Sequence, residues 1–496
     1  MLLPVFCISI LLASCNSSSS SNAQQKTDEK ITDIPASSHS KEALTTFQQG
    51  LTFFDAGDGI KARETFSKAI AQDPKFSLAY LMRANTAPSS KEFADDLAAA
   101  KANLDSASSW EKMYYEYYST FVTADRNKGI EIAEKITTTY PDAARAQVDL
   151  GNAYSGNIQI DKARACYQKA IQLNPKWVGG YAALTNSYLF NDPIDLKKAE
   201  ENALKLVELA PNSPGAEITL GDCYRAQNDF QKAKDAYAKA VQLDPSTPEA
   251  YYKEGHANTY LGKMDEARKN YADGGKHDIS QLGANLNIAN TYLYGGDHKT
   301  ATKYLMDAYA KMDTSGAAKS KLANEKFTYL TTAATIDFHD GDAAHLKQLV
   351  PMIQPLEEQI YNDIATPEAK TLGQADMLNW EAMAAATEGK FDDAKAKAEE
   401  EKKMLESIKD NRKLEPYYFV MGVINLKQKK YADAVADLAK SDLTSVYNKY
   451  WSALANEGAG NKDKAMSLYK EVAAYNFNFV GNALVRNEVK KKLGVH

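Results

Sequence analysis

A unit of about 34 residues recurs along much of this chain, and no other feature restricts the fold as strongly. Tyrosine follows glycine or alanine by three positions in the segments Gly151–Tyr154, Gly221–Tyr224 and Ala289–Tyr292, and a polar turn comes next. An alanine then recurs at nearly constant spacing, at Ala163, Ala199, Ala233, Ala267 and Ala301. This period predicts a stack of similar units rather than one domain around a single core.

The residue types inside the unit predict a hairpin of two helices. A small residue such as Gly151 in the first helix is expected to face an alanine such as Ala163 in the second, so that the helices approach closely. Aromatic residues such as Tyr167 fill the space beside that contact at helical spacing. Prolines such as Pro175 and Pro245 stop the second helix. One hairpin cannot bury its apolar face alone, so neighbouring hairpins must stack.

The small, aromatic and proline positions repeat in register. The unit that starts at Ala144 carries Gly151, Tyr154, Ala163, Tyr167, Ala170 and Pro175, and the unit that starts at Pro214 carries Gly221, Tyr224, Ala233, Tyr237, Ala240 and Pro245. This pattern resembles the tetratricopeptide repeat (TPR) family. The resemblance implies an all-α fold, a right-handed α-solenoid of about twelve stacked antiparallel helical hairpins, with the first helices lining a concave face.

The repeat is regular in the N-terminal half and irregular in the C-terminal half. Beyond residue 315 the corresponding alanines are unevenly spaced, at Ala343, Ala394, Ala434 and Ala465. We interpret this part as degenerate hairpins that follow a kink near Met312–Lys321. The stretch Pro351–Pro367 is predicted to interrupt the array as a second hinge, and the lysine-rich Val485–Leu493 to form a polar capping helix.

The first residues are predicted to form a targeting signal. Leu2–Ala13 is almost wholly apolar, too short to span a bilayer and of the length of a signal-peptide core. It ends in Leu12-Ala13-Ser14-Cys15, which resembles the bacterial lipobox, and this resemblance implies diacylation of Cys15 as the mature N-terminus. The start of the chain departs from such signals in lacking Lys or Arg. An ordinary cleaved signal with an incidental cysteine stays an alternative.

The expected organisation has four parts. Residues 1–15 are a lipoprotein signal peptide, residues 16–42 a flexible serine-rich tether, residues 43–315 a regular TPR array, and residues 316–496 a degenerate helical array. Asn16 follows the cysteine, and by resemblance to the enterobacterial sorting rule this favours an outer-membrane location. The chain is therefore expected to be lipid-anchored in the cell envelope.

No motif for catalysis or cofactor binding occurs in the sequence, which lacks a phosphate loop, a paired-histidine zinc motif and a Cys-x-x-Cys pair. His339 and His345 flank a turn with acidic residues, which we interpret as a solvated turn rather than a metal site. Cys166 and Cys223 lie two repeats apart, too far for a disulfide. We expect no enzyme activity, no cofactor and no metal. A net charge of −6 without a run of four basic residues also argues against nucleic acid as a partner.

A polar stripe is predicted along the concave face. Position 9 of successive units is occupied by Asn152, Asn186, Asp222, His256 and Asn290, and the flanking residues are Tyr252, Lys253, Tyr260, Asn287 and Tyr294. Side-chain amides can both donate to and accept from an extended peptide backbone. The stripe therefore predicts a groove for a protein or peptide partner. The alternative is that position 9 only tolerates polar residues because the groove is wet.

Three functions fit these features. The first is a membrane-anchored scaffold that binds a protein or peptide partner, in the assembly or regulation of a cell-envelope complex. The second is a glycan-capturing outer-membrane lipoprotein of a nutrient-uptake system, although four tryptophans and 15 prolines are few for the long loops of such proteins. The third is the sensor part of a regulatory system. All three depend on analogy at the level of the fold.

Overall fold

The described part of the chain is entirely helical. The computed structural model describes residue 33 and residues 35–312 and 318–495, and within these ranges it has 25 α-helices and no strand. The predicted signal peptide, Cys15 and most of the predicted tether lie outside the described residues. Among the described helices, none combines the length and the apolar character that a membrane crossing requires.

The chain forms two compact units, which divide between Ala250 and Tyr251. The helices of the N-terminal unit are α1 (Lys41–Asp55), α2 (Gly59–Gln72), α3 (Ser77–Ala84), α4 (Ser90–Ala102), α5 (Ser109–Val122), α6 (Arg126–Thr139), α7 (Ala144–Gly156), α8 (Ile160–Leu173), α9 (Val178–Phe190), α10 (Leu196–Leu209), α11 (Pro214–Ala226) and α12 (Phe230–Leu243). Helix α13 (Pro248–Tyr260) contains the boundary. The predicted boundary at residue 315 marks a change in repeat regularity, whereas the compact units divide earlier.

The C-terminal unit continues with longer helices. They are α14 (Met264–Gly275), α15 (Leu282–Tyr294), α16 (His298–Ala310), α17 (Lys319–Asp340), α18 (Ala343–Ile364), α19 (Pro367–Thr387), α20 (Phe391–Met404), α21 (Glu415–Lys427), α22 (Tyr431–Leu438), α23 (Val446–Gly458), α24 (Lys462–Ala474) and α25 (Val480–Leu493). Helices α1 to α24 follow one another as twelve pairs that pack as hairpins, and α25 follows them as a single helix. The predicted all-α fold of about twelve hairpins is confirmed.

Short polar turns join the two helices of a hairpin. In the first hairpin, Gly57 takes a φ of 72°, a conformation that glycine adopts without steric cost. Asp58 then caps α2, because its carboxylate accepts a hydrogen bond from the Lys61 backbone N–H. Asp229 caps α12 in the same way. The turn chemistry read from the sequence therefore sets where each of these second helices begins.

The small residue of the first helix faces an aromatic ring rather than the predicted alanine. A Cβ atom added to Gly151 or Gly221 would lie 2.4 Å from a ring carbon of Tyr167 or Tyr237. These distances are far below van der Waals contact, so only glycine fits under the ring. The prediction located the close approach correctly but assigned it to the wrong residue of the second helix.

The predicted interruption at Pro351–Pro367 is wrong. Pro351 and Pro355 both lie inside α18, which continues from Ala343 to Ile364. Each proline removes one backbone hydrogen bond. Tertiary packing compensates for this loss, since Leu349, Val350 and Ile353 are buried in the core of the unit. Helices α17, α18 and α19 have 22, 22 and 21 residues, and this greater length explains the irregular spacing of the C-terminal half.

The segment predicted to form a polar capping helix lies in α25, which has a buried face as well as exposed lysines such as Lys491 and Lys492. Helix α25 begins at Val480 and packs against α15, α17 and α23 as well as α24. Asn482, Val485 and Val489 of this helix are completely buried. Cys166 and Cys223 are free thiols, as predicted, and burial raises the pKa of the Cys223 thiol.

Candidate functional site

In the N-terminal unit, two of the predicted groove residues are bonded within their own hairpin. The Tyr167 hydroxyl donates to Asn152 Oδ1 at 2.9 Å. Asp222 is buried, and its Oδ1 accepts from the Tyr237 hydroxyl at 2.6 Å and from Arg225 at 3.0 Å. Both side chains thus join the first helix of a hairpin to the second.

The same pairing occurs once in the C-terminal unit, where His256 Nδ1 lies 2.9 Å from the Tyr271 hydroxyl. In each case the tyrosine follows the polar residue by 15 positions. The first hairpin has Leu51 and Phe66 at these two positions, an apolar residue opposite a ring without a hydroxyl. Three of the five polar position-9 residues thus have a tyrosine 15 positions later, a spacing that can be read from the sequence.

Asn186 and Asn290 differ from the other three position-9 residues. In the hairpin of Asn290, Leu305 stands where the other hairpins have the tyrosine. In the hairpin of Asn186, Ala203 stands there, so neither hairpin offers a hydroxyl at this position. Asn290 is buried and Asn186 is half-buried. The polar stripe along the concave face therefore stays a prediction. Among its residues in the N-terminal unit, Asn186 is the one without a tyrosine opposite.

The predicted flanking residues all belong to the C-terminal unit. The Tyr252 hydroxyl donates to Asp278 at 2.8 Å, and the Asn287 amide donates to its own helix at the Gly283 carbonyl at 2.9 Å. Lys253 is half-buried on α13. The structure brings Tyr260 and Tyr294 together, with their hydroxyls 3.2 Å apart.

In the N-terminal unit the helices hold an extended stretch of the chain itself. Residues 35–39 precede α1 and have no helical hydrogen bonds of their own. The backbone N–H of Ser37 donates to Glu111 at 3.2 Å, and its hydroxyl bonds the same carboxylate. The backbone N–H of His39 and the hydroxyl of Ser38 both donate to Asp73, at 2.9 and 2.5 Å. These residues belong to the predicted tether, whose last part is therefore held against the array.

A buried arginine lies next to this stretch. Arg145 of α7 forms two hydrogen bonds with the Asp55 carboxylate, at 2.6 and 2.7 Å, and a third with Asp33 at 3.0 Å. The Trp177 indole N–H also donates to Asp55, at 3.0 Å. Burial raises the pKa of the nearby Asp149 to about 6, although a hydrogen bond from a tyrosine and the positive charge of Arg145 act in the opposite direction.

The first and last hairpins of the N-terminal unit are joined directly. Lys61 of α2 contacts Asp244, the C-cap of α12, at 2.5 Å. Burial alone would raise the pKa of Asp244, but hydrogen bonds from Lys61 and Ser246 outweigh it and hold the pKa at about 2. A cavity of about 200 Å³ lies beside the extended stretch, lined by Ser37, His39, Asp73, Lys75 and Glu111 among others.

The histidines singled out in the sequence have acidic or aromatic neighbours. His345 Nδ1 lies 2.7 Å from Asp337, and His339 Nε2 lies 3.6 Å from Glu488. Among the residues that the structure describes, no group of three or more His, Cys, Asp or Glu side chains is arranged to hold a metal ion. Tyr450 and Trp451 of α23 are buried in the core of the C-terminal unit.

Two stretches of the chain match models of known repeats. A tetratricopeptide repeat model matches residues 144–176, and a TPR repeat model matches residues 221–262. The chain thus contains TPR repeats, and such proteins are generally scaffolds for protein–protein interaction. No curated protein matches the chain.

Several solved structures are similar in fold. The Cut9–Hcn1 hetero-tetramer of APC/C is 14% identical over 90% of this chain and 76% of that one, with a TM-score of 0.40. A tetratricopeptide repeat protein from Parabacteroides merdae is 11% identical over 59% of this chain and all of that one, with a TM-score of 0.34. YrrB, described as a TPR protein with an unusual peptide-binding site, is 22% identical over 37% of this chain and 95% of that one, with a TM-score of 0.27.

Proposed function

We propose that this chain is a membrane-anchored TPR scaffold that binds a protein or peptide partner and serves the assembly or regulation of a cell-envelope complex. One observation carries the binding part of the proposal. The N-terminal unit holds the extended residues 35–39 through the carboxylates of Asp73 and Glu111, which take backbone N–H groups as well as side chains.

The chemistry of that contact is general for polypeptides. An extended stretch leaves its backbone N–H groups without partners, and each needs an acceptor when it is partly buried. Carboxylates on a rigid helical frame supply such acceptors, and charge-assisted hydrogen bonds are stronger than neutral ones. A frame that holds one extended segment in this way is suited to hold another.

The tryptophans argue against the glycan-capturing alternative. Sugar capture needs aromatic faces that are open to the ligand. Trp110 and Trp451 are buried, and Trp177 bonds Asp55 while the Arg145 guanidinium covers its ring at 4.9 Å. Among the four tryptophans of the chain, only the half-buried Trp380 is left for such a role.

The variant Asn186→Arg tests partner binding. Asn186 is half-buried on α9, so a long cation there would block a partner that lies along the first helices. We expect the amount of partner that co-purifies from detergent-solubilised envelopes to fall about tenfold, the equivalent of about 1.4 kcal/mol. Gln231→Arg on the exposed side of α12 is the matched control and should leave recovery unchanged. Equal recovery of the partner with both variants would contradict binding along the polar stripe of the first helices.

The anchor is tested by the mass of the mature N-terminus. The apolar segment that ends at Leu12-Ala13-Ser14-Cys15 supports lipid attachment, and Asn16 favours the outer membrane. Mass spectrometry of the chain purified from its native envelope should find an N-terminal Cys15 that carries a diacylglyceryl group. An unmodified N-terminus at any other residue would exclude the lipid anchor and leave the binding function untouched.

A further inference from the structure

The end of the chain packs against helices of the C-terminal unit that are distant from it in sequence. This C-terminal segment, residues 476–493, consists of a short connector and α25. Helices α1 to α24 form hairpins with their neighbours in sequence, whereas α25 packs against α15, α17 and α23 in addition to α24. It therefore contacts the unit as a ligand helix contacts a groove.

Two asparagines of the C-terminal segment bond to tyrosine hydroxyls. The Asn478 amide donates to Tyr271 at 3.2 Å. The Asn482 amide donates to Tyr260 at 3.1 Å and to Tyr294 at 3.3 Å. We call Tyr260, Tyr271 and Tyr294 the tyrosine surface. Because the two asparagines are only four positions apart, one short stretch of chain reaches all three tyrosines.

Further contacts extend the recognition along α25. The Arg486 guanidinium lies 4.7 Å from the centre of the Tyr260 ring, and the Asn487 amide donates to the Tyr294 carbonyl at 2.9 Å. Glu488 bonds the Tyr450 hydroxyl. Apolar contacts add to these polar ones, since Val485 and Val489 are buried. The face that α25 presents is therefore amphipathic.

The fit of this segment is incomplete. The amide oxygens of Asn478 and Asn482 are buried and accept no hydrogen bond from the described part of the chain. A buried acceptor without a donor lowers the stability of the contact. A competing helix whose own side chains supply donors to the corresponding amide oxygens would avoid this cost and bind the same surface more tightly.

We propose that the tyrosine surface is a binding site for an amphipathic helical segment with asparagines four positions apart, and that α25 occupies it in cis and competes with a partner helix of the same chemistry. This inference rests on the proposed function, because it assumes that the scaffold binds polypeptides. It specifies an amphipathic helix as the ligand and adds the tyrosine surface as a second binding site. This site is separate from the contacts of residues 35–39.

The test uses the full chain and a fluorescent peptide of residues 476–493. The variant Asn482→Ala removes the hydrogen bonds of α25 to Tyr260 and Tyr294. It also removes the contacts of this amide with the Tyr475 and Phe477 carbonyls just before the helix. The peptide is therefore expected to bind this variant about tenfold more tightly than the wild-type chain, measured by fluorescence anisotropy. A peptide with the same Asn482→Ala change should bind at least tenfold more weakly. Adding Tyr294→Phe to the chain keeps the ring but removes a hydroxyl, and should weaken binding of the unchanged peptide.

If the Asn482→Ala chain folds, as judged by circular dichroism, and binds no peptide, the inference is wrong. If that chain does not fold, Asn478→Ala with hydrogen exchange replaces it. Faster exchange confined to residues 480–493 then supports a separable helix, and equal acceleration throughout the C-terminal unit makes α25 ordinary core. Neither result affects co-purification with the Asn186 variant, so failure here is distinguishable from failure of the proposed function.

Discussion

The substitution Gly221→Val is expected to destabilise the N-terminal unit by about 3 kcal/mol, at the upper end for an overpacked core. A Cβ atom at this position would lie 2.4 Å from Cε1 of Tyr237. The ring cannot easily move away, because Tyr237 is fully buried and its hydroxyl is bonded to Asp222 at 2.6 Å. The glycine is thus required by the ring that covers it.

Urea unfolding followed by circular dichroism measures this effect. The control is Gly59→Val at the start of α2, where an added Cβ meets no atom within 4 Å, so the change should stay within about 0.5 kcal/mol. Unfolding of the Gly221 variant at the same urea concentration as the wild-type chain would show that the ring does not pack against α11 as described.

The substitution Arg145→Met is expected to cost about 3–5 kcal/mol, the usual effect of removing one partner of a buried ion pair. Arg145 is 5% exposed and makes two hydrogen bonds to Asp55. Without it, Asp55 keeps the Trp177 indole but faces no positive charge from α7. The contact with Asp33, which holds the start of the described chain, is lost as well.

Thermal unfolding of the variants Arg145→Met and Lys128→Met compares the stability lost with a buried ion pair with that lost with an exposed one. Lys128 contacts Glu131 on the surface of α6, where both side chains are largely exposed, so its loss should be undetectable. Adding Asp55→Asn to Arg145→Met should restore part of the lost stability, because it removes the uncompensated charge. Equal melting temperatures for the Arg145 variant and the wild-type chain would contradict the described contact.

The hairpins were predictable because their signals are local. Glycines, alanines and aromatic residues recur at helical spacing within each repeat, and turn residues such as Gly57 and Asp58 mark the junctions. About twelve hairpins could therefore be counted before any coordinates were known. The pairing of Asn152, Asp222 and His256 with a tyrosine 15 positions later is equally local and can be read from the sequence, although Asn186 and Asn290 lack it.

Contacts between distant segments could not be predicted in this way. Asn482 bonds Tyr260, which lies 222 residues earlier, and Lys61 pairs with Asp244 across 183 residues. Periodicity contains no information on which distant helices meet. The interruption predicted from the two prolines of α18 is wrong for a related reason. Burial of neighbouring residues such as Ile353 overrides the local tendency of proline to end a helix.

The central claim, that the array binds a polypeptide along its first helices, is tested most directly by crosslinking in living cells. A photo-reactive amino acid at Asn186 of α9 is compared with one at Gln231 of α12. The claim predicts one dominant protein adduct at Asn186, identified by mass spectrometry and missing at Gln231. Equal adducts at both positions, or none above background at Asn186, would contradict it.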